Sequence, residues 1–356
     1  MDVRKYGGFL SAMVALMAGS PAFAGWSVSL FGYGSASSVC DGQVVGWEEE
    51  GYESHACIWD LPTSALVDLN PGVAANSSAL AAHDQTEVGQ AWVASDLVPA
   101  GQPHAALWHG TADSFVDLNP AGYYFSLASG GDSGYQVGEA SLDGYVAHAA
   151  LWHGTADSYV DLNPAGASES CANDMYGNQQ GGYAVVNGVQ DAGLWNGTSD
   201  SWTDFGPGSV FTMYNGKEAG CDAYGACIWN GTSSSRTELG PGGVRSMYEG
   251  TEAGWFEGLG NSHACIWTGT AASRVDLEAV LAQSYNLPES QASGVYTSGG
   301  EIWVVGMATN PEYGDYAILW HYTPDPVPEP SSLLVLTLGL PAVFARFRRG
   351  LLFHRP

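Results

Sequence analysis

The chain has 356 residues, 45% of them apolar and only 13% charged, with 48 Gly and 17 Pro. That mix argues against long solvated helices and for many short strands joined by tight turns. Ten basic residues against 37 acidic ones give a formal charge of −27, which excludes the phosphate-neutralising surface a nucleic-acid partner requires.

At the N-terminus, Arg4 and Lys5 precede an apolar stretch from Phe9 to Met17 and the segment Pro21-Ala22-Phe23-Ala24. This charged, apolar, small-residue order is that of a secretory signal peptide over residues 1–24, with cleavage after Ala24. The apolar run is well short of the ~20 residues a membrane anchor needs. Next comes Trp26-Ser27-Val28-Ser29-Leu30, followed by Gly32 and Gly34, an alternating segment that reads as a strand.

From there to residue 323 the chain is one unit repeated. The line from His104 to Pro120 returns almost unchanged from His148 to Pro164, and weaker copies share an anchor of a small residue, Ile or Leu, then Trp. The anchors are Trp59, Trp108, Trp152, Trp195, Trp229, Trp267 and Trp320, about 43 residues apart on average. That period belongs to propeller blades of four strands. Each copy divides into a Ser/Ala-rich strand ending in a turn such as Asp41-Gly42, a second strand with a Gly such as Gly46 or Gly254, a third carrying the Trp, and a fourth reading Ser-x-Val-Asp-Leu. Asn70-Pro71, Asn119-Pro120 and Asn163-Pro164 then break the chain. The seventh copy has no fourth strand of its own, and Trp26 to Leu30 matches the missing one. The expected fold is therefore an all-β, seven-bladed β-propeller over residues 25–323, closed by the N-terminal strand completing the last blade, so that no edge stays exposed.

Residues 324–356 hold Val327-Pro328-Glu329-Pro330, an apolar run over 333–345, and the cluster Arg346, Arg348 and Arg349. A run this short before a basic cluster that stays cytoplasmic reads as a transmembrane helix holding the protein transiently in the inner membrane; an ordinary C-terminal anchor is the competing reading. The three ordered elements resemble the PEP-CTERM sorting signal of exopolysaccharide-producing Gram-negative bacteria. The resemblance implies an exosortase-type processing enzyme as partner, removal of the tail and release to the outside. The repeat resembles the HAF family of extracellular repeats: His55-Ala56, His104-Ala105, His148-Ala149 and His263-Ala264 match its first two positions, while Asp191, Gly225 and Tyr316 replace the His in the other copies. That resemblance implies an exported propeller-like protein and assigns no reaction.

Within residues 25–330 four basic residues face 36 acidic ones, a formal −32. Such a surface repels acidic polysaccharide, so an exopolysaccharide partner calls for a bridging cation. Asp41, Asp84, Asp132 and Asp174, in or near the turns leaving first strands, could ring one mouth of a channel and hold Ca²⁺ on hard oxygen ligands. The competing reading is that Asp, Asn and Gly are what tight hairpins use. The four repeat-position His sit too far apart to converge on one zinc and read as structural hydrogen bonds, as does the acidic residue ending each fourth strand. Cys57, Cys227 and Cys265 occupy a small packing position. Only Cys221 and Cys227, facing across a short hairpin, are candidates for a disulfide.

Catalysis needs a break in the symmetry. Lys217 and Arg245 are singular basic residues without a recognisable partner pattern, and no Gly-x-Ser-x-Gly, P-loop, His-Glu-x-x-His or EF-hand loop is present. With no catalytic residues to name, the sequence reads as a non-enzymatic, exported matrix-binding propeller, with Tyr123, Tyr124, Tyr214, Tyr248 and Trp92 as aromatics able to stack on sugars. The alternative is a secreted propeller enzyme, a polysaccharide lyase or hydrolase, which one asymmetric cluster of titratable groups at the channel mouth would favour.

Overall fold

Hairpin turns fall where residues tolerant of positive φ sit: Asp41-Gly42 (47° and 81°), Asn215-Gly216 (50° and 76°) and Glu249-Gly250 (47° and 81°) each supply the two left-handed residues a tight hairpin needs. Between such turns the chain is antiparallel strand almost throughout. The computed structural model describes residues 25–324 except 64, 95–100 and 259. Ala24 and the expected sorting segment lie outside the described residues. Among the described residues no helix is long and apolar enough to cross a membrane.

The strands form seven four-stranded units in a propeller-like arrangement. Three are separate sheets, beginning at Ala74, Phe125 and Gly242, and the other four are joined in pairs by shared strands. The strand Trp26–Cys40 pairs through residues 26–33 with Gly314–Tyr322 and through residues 34–40 with Gln43–Glu50. The inner strand of each unit touches that of the next, and the seventh touches the first. Where the chain enters and leaves, the Thr323 N–H donates to the Gly25 carbonyl at 2.8 Å.

The shared strands correct the expected punctuation. Gly32 and Gly34 do not end the N-terminal strand, and Thr203–Tyr214 likewise runs unbroken from the fourth unit into the fifth. There the sequence has Gly206-Pro207-Gly208 in place of Asn-Pro, and Gly206 and Gly208 take φ of 91° and 152°. The Ser-x-Val-Asp-Leu segments are shorter strands than alternation suggested. Val116–Asp117 and Val160–Asp161 are two-residue pairings after 3₁₀ turns at Ala112–Ser114 and Ala156–Ser158.

Packing between units rests on the Trp anchors, all seven of which are buried. Each ring packs against the unit before it. Trp108 meets Val45, Ala56, Ile58 and Leu69, Trp152 meets Val88 and Leu107, and Trp59 of the first unit meets Val305 and Ala317 of the seventh. Truncating such a ring to Ala typically costs about 3–5 kcal/mol. The small residue two before the Trp leaves room for this packing, so Cys57, Cys227 and Cys265 are buried beside it.

A polar relay explains the His…Asp-Leu-Asn-Pro pattern. His104 Nδ1 lies 2.8 Å from Asp117, whose other oxygen accepts the Asn119 N–H at 2.8 Å. The Asn119 side-chain oxygen accepts from Ser126 of the next unit, and Ser126 accepts the buried Ala105 N–H. The same chain links His148, Asp161, Asn163 and Ser170, and His55, Asp68, Asn70 and Ser77. Every buried polar member is satisfied, which makes the relay a structural stitch between neighbours.

Candidate functional site

Each of the seven inner strands carries a β-bulge at the same place. In the register of the sixth, Val244 pairs with Gly254 and Ser246 with Ala253, leaving Arg245 unpaired between them. The equivalent extra residues are Ser37, Leu80, Ser129, Asn173, Phe211 and Ser293. A bulge re-aims the side chain it adds, and all seven line one central cavity of about 190 Å³. The recurring Gly of the second strand exists for this bulge. A Cβ on Gly254 would stand 2.0 Å from the Gly243 carbonyl oxygen, and the counterparts at Gly46, Gly89 and Gly306 meet the same obstruction.

Toward the turns, a second ring of seven residues forms the mouth, and it is not symmetric. Four successive units carry Tyr176, Tyr214, Tyr248 and Tyr296, whose ring centroids follow one another at 5.4, 4.8 and 4.9 Å. The other three carry Cys40, His83 and Asp132. An aromatic arc thus faces a polar one. Burial holds the Tyr214 and Tyr248 phenols above their ordinary value, and the hydrogen bond to Asp41 at 2.7 Å does the same for Tyr296. They remain protonated donors through neutral pH. Burial, reinforced by Asp41 and Asp84, pushes the Cys40 thiol up to about 11, so it is no thiolate nucleophile.

The four expected Ca²⁺ ligands do not converge. Among the described residues no three of Asp41, Asp84, Asp132 and Asp174 bring their oxygens within 4.8 Å of one another, because each has other partners. Asp41 accepts from Tyr296, and Asp84 lies 3.3 Å from His83. Asp132 accepts the Gly177 N–H at 2.6 Å. Asp174 is not in a turn: it sits inside its strand and accepts the N–H groups of Met175 and Met213, both at 2.8 Å. Burial pushes its carboxyl up to about 6 despite those two donors. Cys221 and Cys227 are both free. Cys221 pairs opposite Ala226 and Cys227 opposite Gly220, a one-residue offset that turns the two side chains to opposite faces of the sheet.

Of the aromatics singled out in the sequence, Tyr214 and Tyr248 belong to the arc, whereas Tyr123, Tyr124 and Trp92 do not line the cavity. Tyr123 packs edge-on against Tyr159. Tyr176, Tyr296 and the bulge ring escaped the sequence reading. Aligning the seven first strands on the small residue opposite the Gly (Ala36, Ala79, Ala128, Ala172, Val210, Val244, Ala292) displays both rings. A further cluster, Glu50, His55 and Asp68 on the first unit, brings its ligand atoms within 4.8 Å and is the one such group among the described residues. Glu50 there is largely exposed.

No family model and no curated protein matches the chain. Among solved structures it is similar to puromycin hydrolase, with a TM-score of 0.51 and 15% identity over 83% of this chain and 55% of that one. It is also similar to a mutant of that enzyme in complex with PGG, with a TM-score of 0.55 and 12% identity over the same shares. The chain therefore spans about half the length of these proteins. At such identity the likeness supports a β-propeller-like fold and nothing further.

Proposed function

We propose that the chain is an exported, non-enzymatic, seven-bladed β-propeller that binds a glycan of the extracellular or cell-surface matrix at the mouth of its central channel. The contact of the first and seventh inner strands, the pairing of residues 26–33 with Gly314–Tyr322 and the seating of Trp59 on the seventh unit favour one closed ring. The observation that carries the binding reading is the arc of four neighbouring, mutually tilted tyrosines. Sugar rings present apolar C–H faces and a rim of hydroxyls, and aromatic faces tipped with phenol donors answer both. Export and release rest on the charged, apolar, small-residue order of residues 1–24 and on the PEP-CTERM-like tail, with the exosortase-type enzyme as processing partner. Secreted material then begins at Gly25 and ends near Pro328-Glu329-Pro330. A peptide containing Phe344 in the extracellular fraction would count against processing.

One observation favours the enzyme alternative, a polysaccharide lyase or hydrolase. Asp174 lines the channel with a carboxyl whose pKa is pushed up to about 6 by burial, as a general acid requires. Against it, both its oxygens and one of Asp132 are engaged by backbone N–H groups.

Calorimetry with matrix polysaccharide tests the reading. Tyr214→Ala and Tyr248→Ala should each weaken binding by about two- to tenfold, with no new reducing ends or unsaturated products. Chain cleavage that disappears in Asp174→Asn would establish the enzyme instead.

A further inference from the structure

The bulge ring contains one charge. Among the described residues Arg245 is the only Lys or Arg lining the cavity, and it occupies a ring whose other members are Ser37, Leu80, Ser129, Asn173, Phe211 and Ser293. Its guanidinium carbon lies 4.8 Å from the Phe211 ring centroid and 4.9 Å from that of Trp255. Two aromatic faces therefore hold the flat group in place. Among the described residues it makes no hydrogen bond or ion pair, although the chain is strongly acidic; Arg236, by contrast, is paired with Asp222. Arg245 is an exposed residue and lines the cavity.

A fixed, unpaired guanidinium inside a lumen is built for a planar anion, and a carboxylate is the anion whose two oxygens match its fork. The volume limits what can reach it. About 190 Å³ is below the ~300–1,000 Å³ of an ordinary ligand pocket, enough for one ring with its substituents and not for a chain threaded through. The tyrosine arc stands at the entrance to this chamber.

We propose that Arg245 binds the carboxylate of a single acidic sugar residue, such as a terminal uronic acid, presented end-on through the tyrosine mouth. This rests on the glycan reading above and deepens it. It also replaces the bridging cation that the overall charge calls for, because recognition occurs at a local positive site inside the cavity.

The test uses the purified full chain and three probes: methyl glucuronide, methyl glucoside and benzoate. Titration calorimetry of the wild type should show the glucuronide bound about tenfold or more tighter than the glucoside, the margin expected of a charged hydrogen bond. Arg245→Gln should erase that margin by bringing the glucuronide down to the affinity of the glucoside, and Tyr248→Ala should weaken both sugars alike. Arg245→Lys, which keeps the charge and loses the stacked fork, should retain part of the margin, and its melting curve controls for folding. Equal binding of the two sugars to wild type, or a margin that survives Arg245→Gln, overturns the anion site and leaves the glycan reading standing. Arg245-dependent binding of benzoate with neither sugar bound keeps the carboxylate site and overturns the sugar as its ligand. Binding of none of the three overturns both.

Discussion

Asp174 shows how a single residue can join two units and carry a detectable cost. Its oxygens take the N–H groups of Met175 in its own strand and Met213 in the next unit, yet burial leaves its carboxyl titrating near 6. The unfolded carboxyl titrates near 4. Between those values the native state binds the extra proton, so the contribution of this carboxyl to stability is greatest below about pH 4 and falls as pH rises to about 6, by on the order of 2 kcal/mol, then levels off. Asp174→Asn should remove that contribution and leave a shallower dependence than the parent's, which thermal melts across pH 4–7 will show. Gly254 makes the opposite kind of point. Ala there would set a methyl group 2.0 Å from a backbone oxygen, and no side-chain rotation relieves a backbone clash. Gly254→Ala should destabilise by about 2 kcal/mol or more in denaturant titration, and it should disturb Arg245, whose bulge that glycine accommodates.

Among the elements, the strand Trp26–Cys40 serves two units at once. Deleting residues 25–31 removes most of its pairing with Gly314–Tyr322, exposes an edge and takes away Val28, which packs in the core beside Trp320. The truncated protein should lose several kcal/mol, and a melting temperature equal to the parent's would refute the role of that strand. The N-terminal strand was legible in the sequence because its alternation matches the segment absent from the last copy. The Trp anchors were legible for a similar reason: large rings at a fixed period have no bland explanation. The bulge ring was not legible. A bulge breaks the two-residue alternation on which strand reading depends, so Arg245 stood out only as a singular basic residue and Phe211 not at all. The convergence of Asp41, Asp84, Asp132 and Asp174 was expected from similar positions in the repeat. It failed because Asp174 lies three residues before the turn that begins at Gly177, and the others have nearer polar partners.

For the whole molecule, repetition and exception divide the labour between two layers. The His–Asp–Asn–Ser relay and the Trp packing recur with little change and hold neighbours together. The cavity rings vary between units, apart from three Ser in one and four Tyr in the other, and carry what chemistry there is. The Thr323–Gly25 hydrogen bond has a consequence of another kind: the order in which the chain visits its units is not part of the architecture. With entry and exit one hydrogen bond apart, a few Gly and Ser residues can join 25 to 323, and new termini can be opened at the exposed Asn187-Gly188 hairpin, far along the chain from the seam. Such a circular permutant should fold to the same circular dichroism spectrum and keep the tyrosine arc intact. Its seam would then be an ordinary covalent loop. Unfolding that begins by fraying at residues 26–33 in the parent should disappear, which hydrogen exchange on those amides would register as slower opening.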